Sequence, residues 1–498
     1  MNFVDVAVSS PLRSTFTYKN NTGELLIGKR VLVEFGRRKL VGVVTEDKSH
    51  YEGQYKIKDV LQVLDERPTF NDAQLRTIEK ISKHYMHPIG IVFEAFLPTI
   101  LRKAKTQLDL NKYSSDVCDL DINKDNFHEL TFDQKSCLDK IRKNQDEALL
   151  FGVTSSGKTE IYKHYIESLL LSGKSALVLV PEIFLTPQIY DQFKRNFNDS
   201  VLIYHSGLTE LQRYKVWLAA QDKKPKIIIG TRSAIFLPIK NLGTIIFDEE
   251  HDQSYKQQDG FRYDARNLAK IIFGNIAKII YSSATPSLKI LQNVNENLIQ
   301  SLSLKKRISK SPMPKIEVHA INKKKLKGGI SFELIDEIKK NNEKGNQTLI
   351  LLNRRGYAPV FLCNSCGWIA KSNCCETSLV LHQSVRRLKC HRCESAWAIP
   401  DVCPSCGADD FSYKGIGTQQ VEEAIKNIFP NTEVLRIDRD SVSGKARREK
   451  SIKTLTNLEP RILVGTQLLA KGHDFKKIAL IIVLNLDFGL FGADTHLQ

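Results

Sequence analysis

ALLFGVTSSGKTEIYKHYIESLL, residues 148–170, runs from an apolar β-type segment through a glycine-bounded turn into a helical pattern. Within it Gly152-Val153-Thr154-Ser155-Ser156-Gly157-Lys158-Thr159 fits the spacing GxxxxGK[ST], in the strand, turn and helix setting that a phosphate loop needs. Glycines let the backbone curl so that its NH groups face phosphates at a helix N-terminus, with Lys158 reaching the terminal phosphates and Thr159 a magnesium ion. Gly152, Thr154, Ser155, Ser156, Gly157, Lys158 and Thr159 are therefore the expected ATP-binding set.

Outward from this loop, buried-type strands (ALLFGV, ALVLVP, KIIIGT, TIIFDE, KIIYSS) alternate with helical segments, the signature of βαβ units around a parallel sheet. An α/β lobe is expected over residues 130–303. The strand TIIF ends in Asp248-Glu249-Glu250-His251. An acidic pair at the carboxyl end of a strand lets Asp248 hold magnesium and Glu249 orient the attacking water. Such a tetrapeptide alone reads equally as a solvated acidic turn; behind a phosphate loop the catalytic reading of Lys158, Asp248 and Glu249 prevails.

A second alternating set (TLILLN, TEVLRI, RILVGT, ALIIVL) predicts another lobe over residues 336–362 and 411–498. A basic connector, residues 304–335, precedes it; Ser301 to Ile330 hold nine Lys or Arg and one Glu. The fold class is thus α/β, two RecA-like parallel-sheet lobes, with a cysteine-rich insertion at residues 363–410 and a β-rich N-terminal domain at residues 1–100. That domain is read from VDVAV, RVLVEF and LVGVV, separated by turn signals at Asn20 to Gly23 and at Gly36. A helical stretch follows from Asn71 to His84, and residues 101–129 are polar enough to be a linker.

The 498 residues are 42% hydrophobic and 26% charged, enough to bury several cores. The excess of 73 Lys and Arg over 56 Asp and Glu, a formal charge of +17, favours a polyanionic partner such as nucleic acid. Met1 to Phe16 lacks the apolar core of a signal peptide, and no apolar run reaches the roughly 18 residues of a membrane span, so a cytoplasmic protein with no membrane contact is expected. Eight of the ten cysteines lie between Cys363 and Cys406, a metal-binding rather than a disulfide distribution. Cys363-x-x-Cys366, Cys390-x-x-Cys393 and Cys403-x-x-Cys406 each offer two thiolates to a tetrahedral zinc, and three pairs cannot fill two four-ligand sites.

Asp248-Glu249-Glu250-His251, with Ser282-Ser283-Ala284-Thr285-Pro286-Ser287 after the next strand, resembles motifs II and III of superfamily 2 helicases. Pro181-Glu182 and Gly230-Thr231-Arg232-Ser233 resemble the DNA-contacting motifs of the first lobe, and Gln134 stands where such proteins often read adenine. Gly465-Thr466-Gln467 and Lys471-Gly472-His473-Asp474-Phe475 resemble motif V. Asp248 to Arg266 (DEEHDQSYKQQDGFRYDAR) and Asn353-Arg354-Arg355-Gly356-Tyr357 narrow the resemblance to the PriA family of DNA helicases. In the first of these, Tyr255, Phe261 and Tyr263 mixed with Lys256, Arg262 and Arg266 combine base-stacking faces with phosphate-binding charge; the rival reading is an amphipathic loop packing between lobes.

The resemblance implies nested cysteine pairs: Cys363, Cys366, Cys403 and Cys406 on an outer zinc, and Cys390 and Cys393 with a fourth pair on an inner one. The family pattern puts that fourth pair at Ser372 and Cys375, whereas this chain has Cys374 beside Cys375, with His382 and His391 as substitutes. Phe16, Gly36, Arg37 and Lys58 match the domain that binds the 3′ end of a nascent strand, and Thr17 replaces the usual Asp. A winged-helix domain is expected to be missing between residues 101 and 129, and an arginine-rich motif VI is expected beyond Asp494, so that the sequence reads as C-terminally incomplete. The implied activity is an ATP- and Mg2+-dependent 3′ to 5′ helicase that recognises stalled or branched forks and initiates primosome assembly. Its implied partners are forked and single-stranded DNA, single-strand-binding protein and primosome or helicase-loading proteins. The alternatives are a truncated fork-binding zinc protein without productive ATPase, and a duplex translocase that does not separate strands.

Overall fold

The computed structural model describes residues 2–51, 57–104, 120–143, 146–181, 186–308, 314–320, 326–327, 330–352, 361–363, 365–366, 368–372, 379–382, 387–390, 395–412, 418–437, 461–465 and 478–484. It divides into two compact units, Met1–Pro312 and Met313–Gln498.

The first unit opens with β1 (Asn2–Val8), β2 (Phe16–Asn20), β3 (Arg30–Phe35), β4 (Arg38–Lys48) and β5 (Val60–Val63). They form an antiparallel sheet in the order β2-β1-β4-β3-β5. Side chains alternate across a strand, so Val4, Val6 and Val8 enter one core with Val31, Val33 and Val44. Ala7 and Val43, out of phase with them, join the core built by α1 (Asp72–His84) and α2 (Ile89–Phe96). Asn71 and Gln74 start α1 with reciprocal side-chain to backbone bonds. Gly90 lets α2 lie against β1, since a Cβ there would stand 1.8 Å from the Val8 carbonyl oxygen.

Arg30 and Asp65, both fully buried, lock this domain: the Arg30 amide and Nε reach the carboxylate at 2.8 and 3.0 Å, and Nη1 donates to the Leu101 carbonyl at 2.6 Å. With its hydrogen bonds satisfied, such a pair resists the loss of either partner, which would strand a buried charge.

The parallel sheet follows from α3 (Phe132–Lys143), β6 (Glu147–Gly152), α4 (Lys158–Leu171), β7 (Ser175–Leu179), α5 (Thr186–Phe197), β8 (Val201–Tyr204), α6 (Glu210–Gln221), β9 (Ile227–Gly230), β10 (Leu242–Asp248), α7 (Ala265–Phe273), β11 (Lys278–Ser283), α8 (Leu288–Asn295) and β12 (Gln300–Leu304). Its seven strands run in the order β12-β6-β11-β10-β7-β9-β8. Both faces are covered, which is why these strands read as unbroken apolar runs. Leu149, Leu177, Ile228 and Ile245 face one core, and Leu150, Val178, Ile229 and Ile246 the other. The first of these cores is shared with α1 and α2, and the Trp217 indole donates to the Phe96 carbonyl at 3.1 Å, so the N-terminal domain and this lobe pack as one body.

In the second unit a short hairpin, β13 (Leu326–Lys327) and β14 (Ile330–Ser331), leads into α9 (Phe332–Glu343), capped by Ser331, and β15 (Gln347–Leu352). The insertion then contributes β16 (Leu362–Cys363), β17 (Val380–His382), β18 (Arg387–Lys389), β19 (Ala396–Trp397) and β20 (Phe411–Ser412). They pair antiparallel as β16-β20 and β17-β18-β19. After α10 (Thr418–Ile428) come β21 (Glu433–Ile437), β22 (Arg461–Gly465) and β23 (Ile478–Leu484), giving a parallel sheet β21-β22-β15-β23.

Candidate functional site

The phosphate loop leaves the carboxyl end of β6 and enters α4 through Gly157, whose φ of 79° lies in the left-handed region. A side chain at Gly157 would stand 2.3 Å from both the Gln134 amide nitrogen and Ile308 Cδ1, so only glycine fits. Lys158 Nζ folds back onto the Gly152 carbonyl at 2.8 Å. The Ser156 hydroxyl is buried and has no hydrogen-bond partner among the described residues. An orphaned buried donor and a lysine that, among the described residues, bonds only to its own loop fit a site built for an anionic ligand.

Gln134 is 2% exposed and holds the loop itself: Oε1 accepts from the Thr131 amide at 2.8 Å and Nε2 donates to the Ser156 carbonyl at 3.0 Å. Its carbonyl is thereby committed, and these two bonds use one of its two amide N–H groups.

Asp248 ends β10, two strands from β6. Burial, then the adjoining Glu249 carboxylate, push its carboxyl up to about 6. Tyr162, in the second turn of α4, donates to Asp248 Oδ1 at 3.2 Å and also touches the Ser282 hydroxyl at the end of β11. One phenol therefore ties the phosphate-loop helix to both strand ends that follow it in the sheet. Glu249 adopts φ 48°. Glu250 is fully buried and accepts from the Ser287 amide and hydroxyl at 2.6 and 3.1 Å, while Arg266 donates to its carbonyl at 2.6 Å. His251 Nδ1 lies 2.8 Å from the Ser283 hydroxyl, which accepts from the Thr285 amide. The acidic tetrapeptide and the SSATPS segment are thus one hydrogen-bonded assembly. The sequence pointed to Glu250 only as part of the acidic tetrapeptide and did not point to Tyr162, whose helical spacing is that of an ordinary buried position.

The loop after β10 corrects the stacking reading. Tyr255 is fully buried, Tyr263 is 6% and Phe261 8% exposed, so none presents a free face. The Tyr255 hydroxyl donates to the carbonyls of Leu179 and Asp248 at 2.7 and 2.6 Å, and burial raises the pKa of this phenol. Phe261 stacks on His87 at 5.0 Å and meets Tyr85 edge-on at 5.5 Å. Apolar surface on rings of this size is worth more buried than spread on water, and the N-terminal domain supplies the cover. Arg232 is likewise committed, donating to the carbonyls of Ser254 and Lys256 at 2.9 and 3.0 Å. Lys256 and Arg262 alone of this set are exposed.

Four residues expected at a DNA end come together in the N-terminal sheet. The half-buried Phe16 ring packs edge-on against Phe35 at 4.8 Å, beside the Gly36 turn, where φ is 59° and a side chain would meet nothing. Lys58 Nζ donates to the Gly36 carbonyl at 3.1 Å and lies 3.1 Å from Glu34, and Arg37 is exposed at the turn. Thr17 donates to the Asp5 carboxylate at 2.7 Å, which also holds Lys48 at 2.6 Å. Thr17 is thus tied to a carboxylate on the neighbouring strand that is already paired with a lysine.

Cys363, Cys366, Cys403 and Cys406 bring their sulfurs within 4.8 Å of one another, with the 363–406 and 366–403 pairs at 3.7 and 3.6 Å. A tetrahedral zinc with sulfur bonds of about 2.3 Å spaces its thiolates about 3.8 Å apart, so the cluster fits that ion. The Trp368 amide, with the surrounding thiols, pulls Cys366 down to about 7. Cys390 is buried near the β18 end. Cys374, Cys375, Cys393, His391, Glu182, residues 353–357, Thr466, Gln467, 471–475 and 486–494 lie outside the described residues. Among the described residues no helix is long and apolar enough to cross a membrane.

The 3'DNA-binding domain (3'BD) family matches residues 5–98, and the DEAD/DEAH box helicase family matches residues 131–294. The chain is 37% identical to replication restart protein PriA of Haemophilus influenzae, over 100% of this chain and 78% of that one. It is 34% identical to the protein of the same name from Rickettsia conorii, over 95% and 72% respectively. With its Bacillus subtilis counterpart it shares 38% identity over 72% of this chain and 46% of the relative.

Proposed function

The chain belongs to the family of replication restart protein PriA, and from that premise we propose how its residues divide the work and in which direction it moves. Members of this family recognise replication forks and restart replication, and this chain is an ATP-hydrolysing DNA helicase that binds DNA. The proposed polarity is 3′ to 5′, and the proposed outcome is primosome assembly with single-strand-binding protein and helicase-loading proteins as partners, in the cytoplasm where its DNA lies.

Bound Mg2+ would supply positive charge to the terminal phosphates. Lys158 and the loop amides orient those phosphates, Thr159 and Asp248 hold the metal, and Glu249 orients the attacking water. Phe16, Gly36, Arg37 and Lys58 take a 3′ end, Phe16 by stacking and Lys58 by charge. Lys256 and Arg262 serve the strand by charge, with Tyr255, Phe261, Tyr263 and the bound Arg232 as the rigid frame that sets them beside Asp248. Cys363, Cys366, Cys403 and Cys406 hold one zinc; Cys374, Cys375, Cys390 and Cys393 hold a second, for which metal analysis should return two zinc ions per chain. The proposed boundaries are a 3′-end domain at residues 1–100, lobes at 130–303 and at 336–362 with 411–498, and the zinc module at 363–410.

The observation that carries this reading is the single hydrogen-bonded cluster of Tyr162, Asp248 and Ser282 against the phosphate loop, packed in one body with the Phe16 and Lys58 surface. Strand displacement on a fork bearing a 3′-hydroxyl, compared with the same fork bearing a 3′-phosphate, tests it. Faster displacement with the hydroxyl, lost in Lys158→Ala, is expected. Binding without displacement would favour the fork-binding reading, and release of a triplex strand without unwinding would favour the translocase.

A further inference from the structure

The connector that leaves the first lobe does not simply run away from it. β12 is the edge strand beside β6, and beyond Leu304 the chain passes across the phosphate loop. The Val153 amide donates to the Leu304 carbonyl at 3.1 Å, and the Ile308 amide donates to the Ser155 carbonyl at 3.0 Å. Ser155 is itself in the left-handed region, at φ 62°. The Ile308 side chain then lies over Gly157 next to the Gln134 amide, yet remains 55% exposed. Arg307, its neighbour, has an Nε that is shut off from water and has no hydrogen-bond partner among the described residues.

The order of strands says which end of a nucleotide this is. β6 has β11 and β10, with Ser282 and Asp248, on one side and β12 with the connector on the other. A triphosphate running from the loop toward Asp248 leaves its nucleoside on the connector side. An exposed branched aliphatic side chain beside an amide N–H and an unpaired guanidinium donor is what a purine and its ribose need: an apolar wall, a donor for a ring nitrogen and a donor for an oxygen.

We infer that Ile308, with Arg307 beside it, forms the nucleoside wall of the ATP site and determines how well the base is held. The first residues of the connector are therefore ligands of the nucleotide as well as the tether to the second lobe. This rests on reading residues 152–159 as the triphosphate site.

The test is direct binding to the intact chain of two probes, ATP and inorganic tripolyphosphate, each with Mg2+. Ile308→Ala should weaken ATP about tenfold, the cost of trimming an apolar wall, leave tripolyphosphate within about twofold, and raise KM for ATP with little change in kcat. Ile308→Leu should restore ATP binding. Equal loss of both probes in Ile308→Ala would mean that the side chain only props the loop, and unchanged binding of both would mean that it faces solvent; either result overturns the inference. Lys158→Ala should lose both probes. If the unsubstituted chain itself binds neither, the triphosphate reading has failed and the wall falls with it.

Discussion

Phe16, Phe35, Arg37 and Lys58 in the N-terminal sheet and Tyr255, Lys256, Phe261 and Arg262 after β10 share a composition, aromatic rings mixed with cations, and meet opposite ends. The first rings sit half-buried at the ends of their strands with cations around them. The second are sealed between a helicase lobe and α1–α2, with the Tyr255 hydroxyl tied to two carbonyls and only the cations outside. Aromatic and basic residues together therefore signal a nucleic-acid surface only where the neighbouring elements leave the rings uncovered. Where they are covered, the rings set the position of the cations.

Truncation should separate the two regions most sharply. Tyr255→Ala is expected to cost about 3–5 kcal/mol in chemical denaturation of the intact chain, as the removal of a large ring from a closed core does, whereas Phe16→Ala should cost no more than about 1.5 kcal/mol because its site opens to water. Equal costs would erase the contrast. Next in size, Phe16→Ala should weaken binding of a short 3′-hydroxyl oligonucleotide by about 1–3 kcal/mol, the worth of one stacked base, measured by fluorescence anisotropy. An unchanged affinity would remove the sheet from the DNA-end reading.

The Tyr162 hydroxyl bonds the Asp248 carboxylate, and that carboxyl supplies a pH test. Its pKa of about 6 in the fold lies above the roughly 3.9 of an unfolded chain. Between those values the folded state holds the extra proton, so this group's contribution to stability falls as pH rises from about 4 to 6 and stays at its lower level above. Asp248→Asn should thus stabilise the chain at pH 8, by on the order of 1–2 kcal/mol, while abolishing ATP turnover. In the unsubstituted chain, apparent Mg2+ affinity at the ATP site should decline below about pH 6. A stability gain at pH 4 equal to that at pH 8 would contradict the assignment. The smallest effect belongs to the exposed cations: Lys256→Ala and Arg262→Ala should each lower the salt slope of DNA binding by about one, without moving the denaturation midpoint.

Much of the nucleotide site was legible because its chemistry is local. GVTSSGKT and DEEH carry their spacing within one turn, and the period of the flanking strands already places both at strand ends. The four-cysteine cluster was legible for the same reason in each CxxC pair, but the partnering of residues 363 and 366 with 403 and 406 came from family resemblance, and the geometry agrees with it. What could not be read were contacts between distant segments: Tyr162 with Asp248, Phe261 with His87, Gln134 turned onto Ser156, and Ile308 over Gly157. None alters composition or periodicity at its own position.

The sequence by itself determined the alternation of strands and helices, the phosphate loop, the acidic strand end and the cysteine pairs, since each depends on residues a few positions apart. Only the tertiary structure decided which rings are buried, which arginine is already bound and which side of the loop the connector closes. Those outcomes depend on which elements the sheet order sets side by side, and burial is a property of neighbours that no residue carries alone.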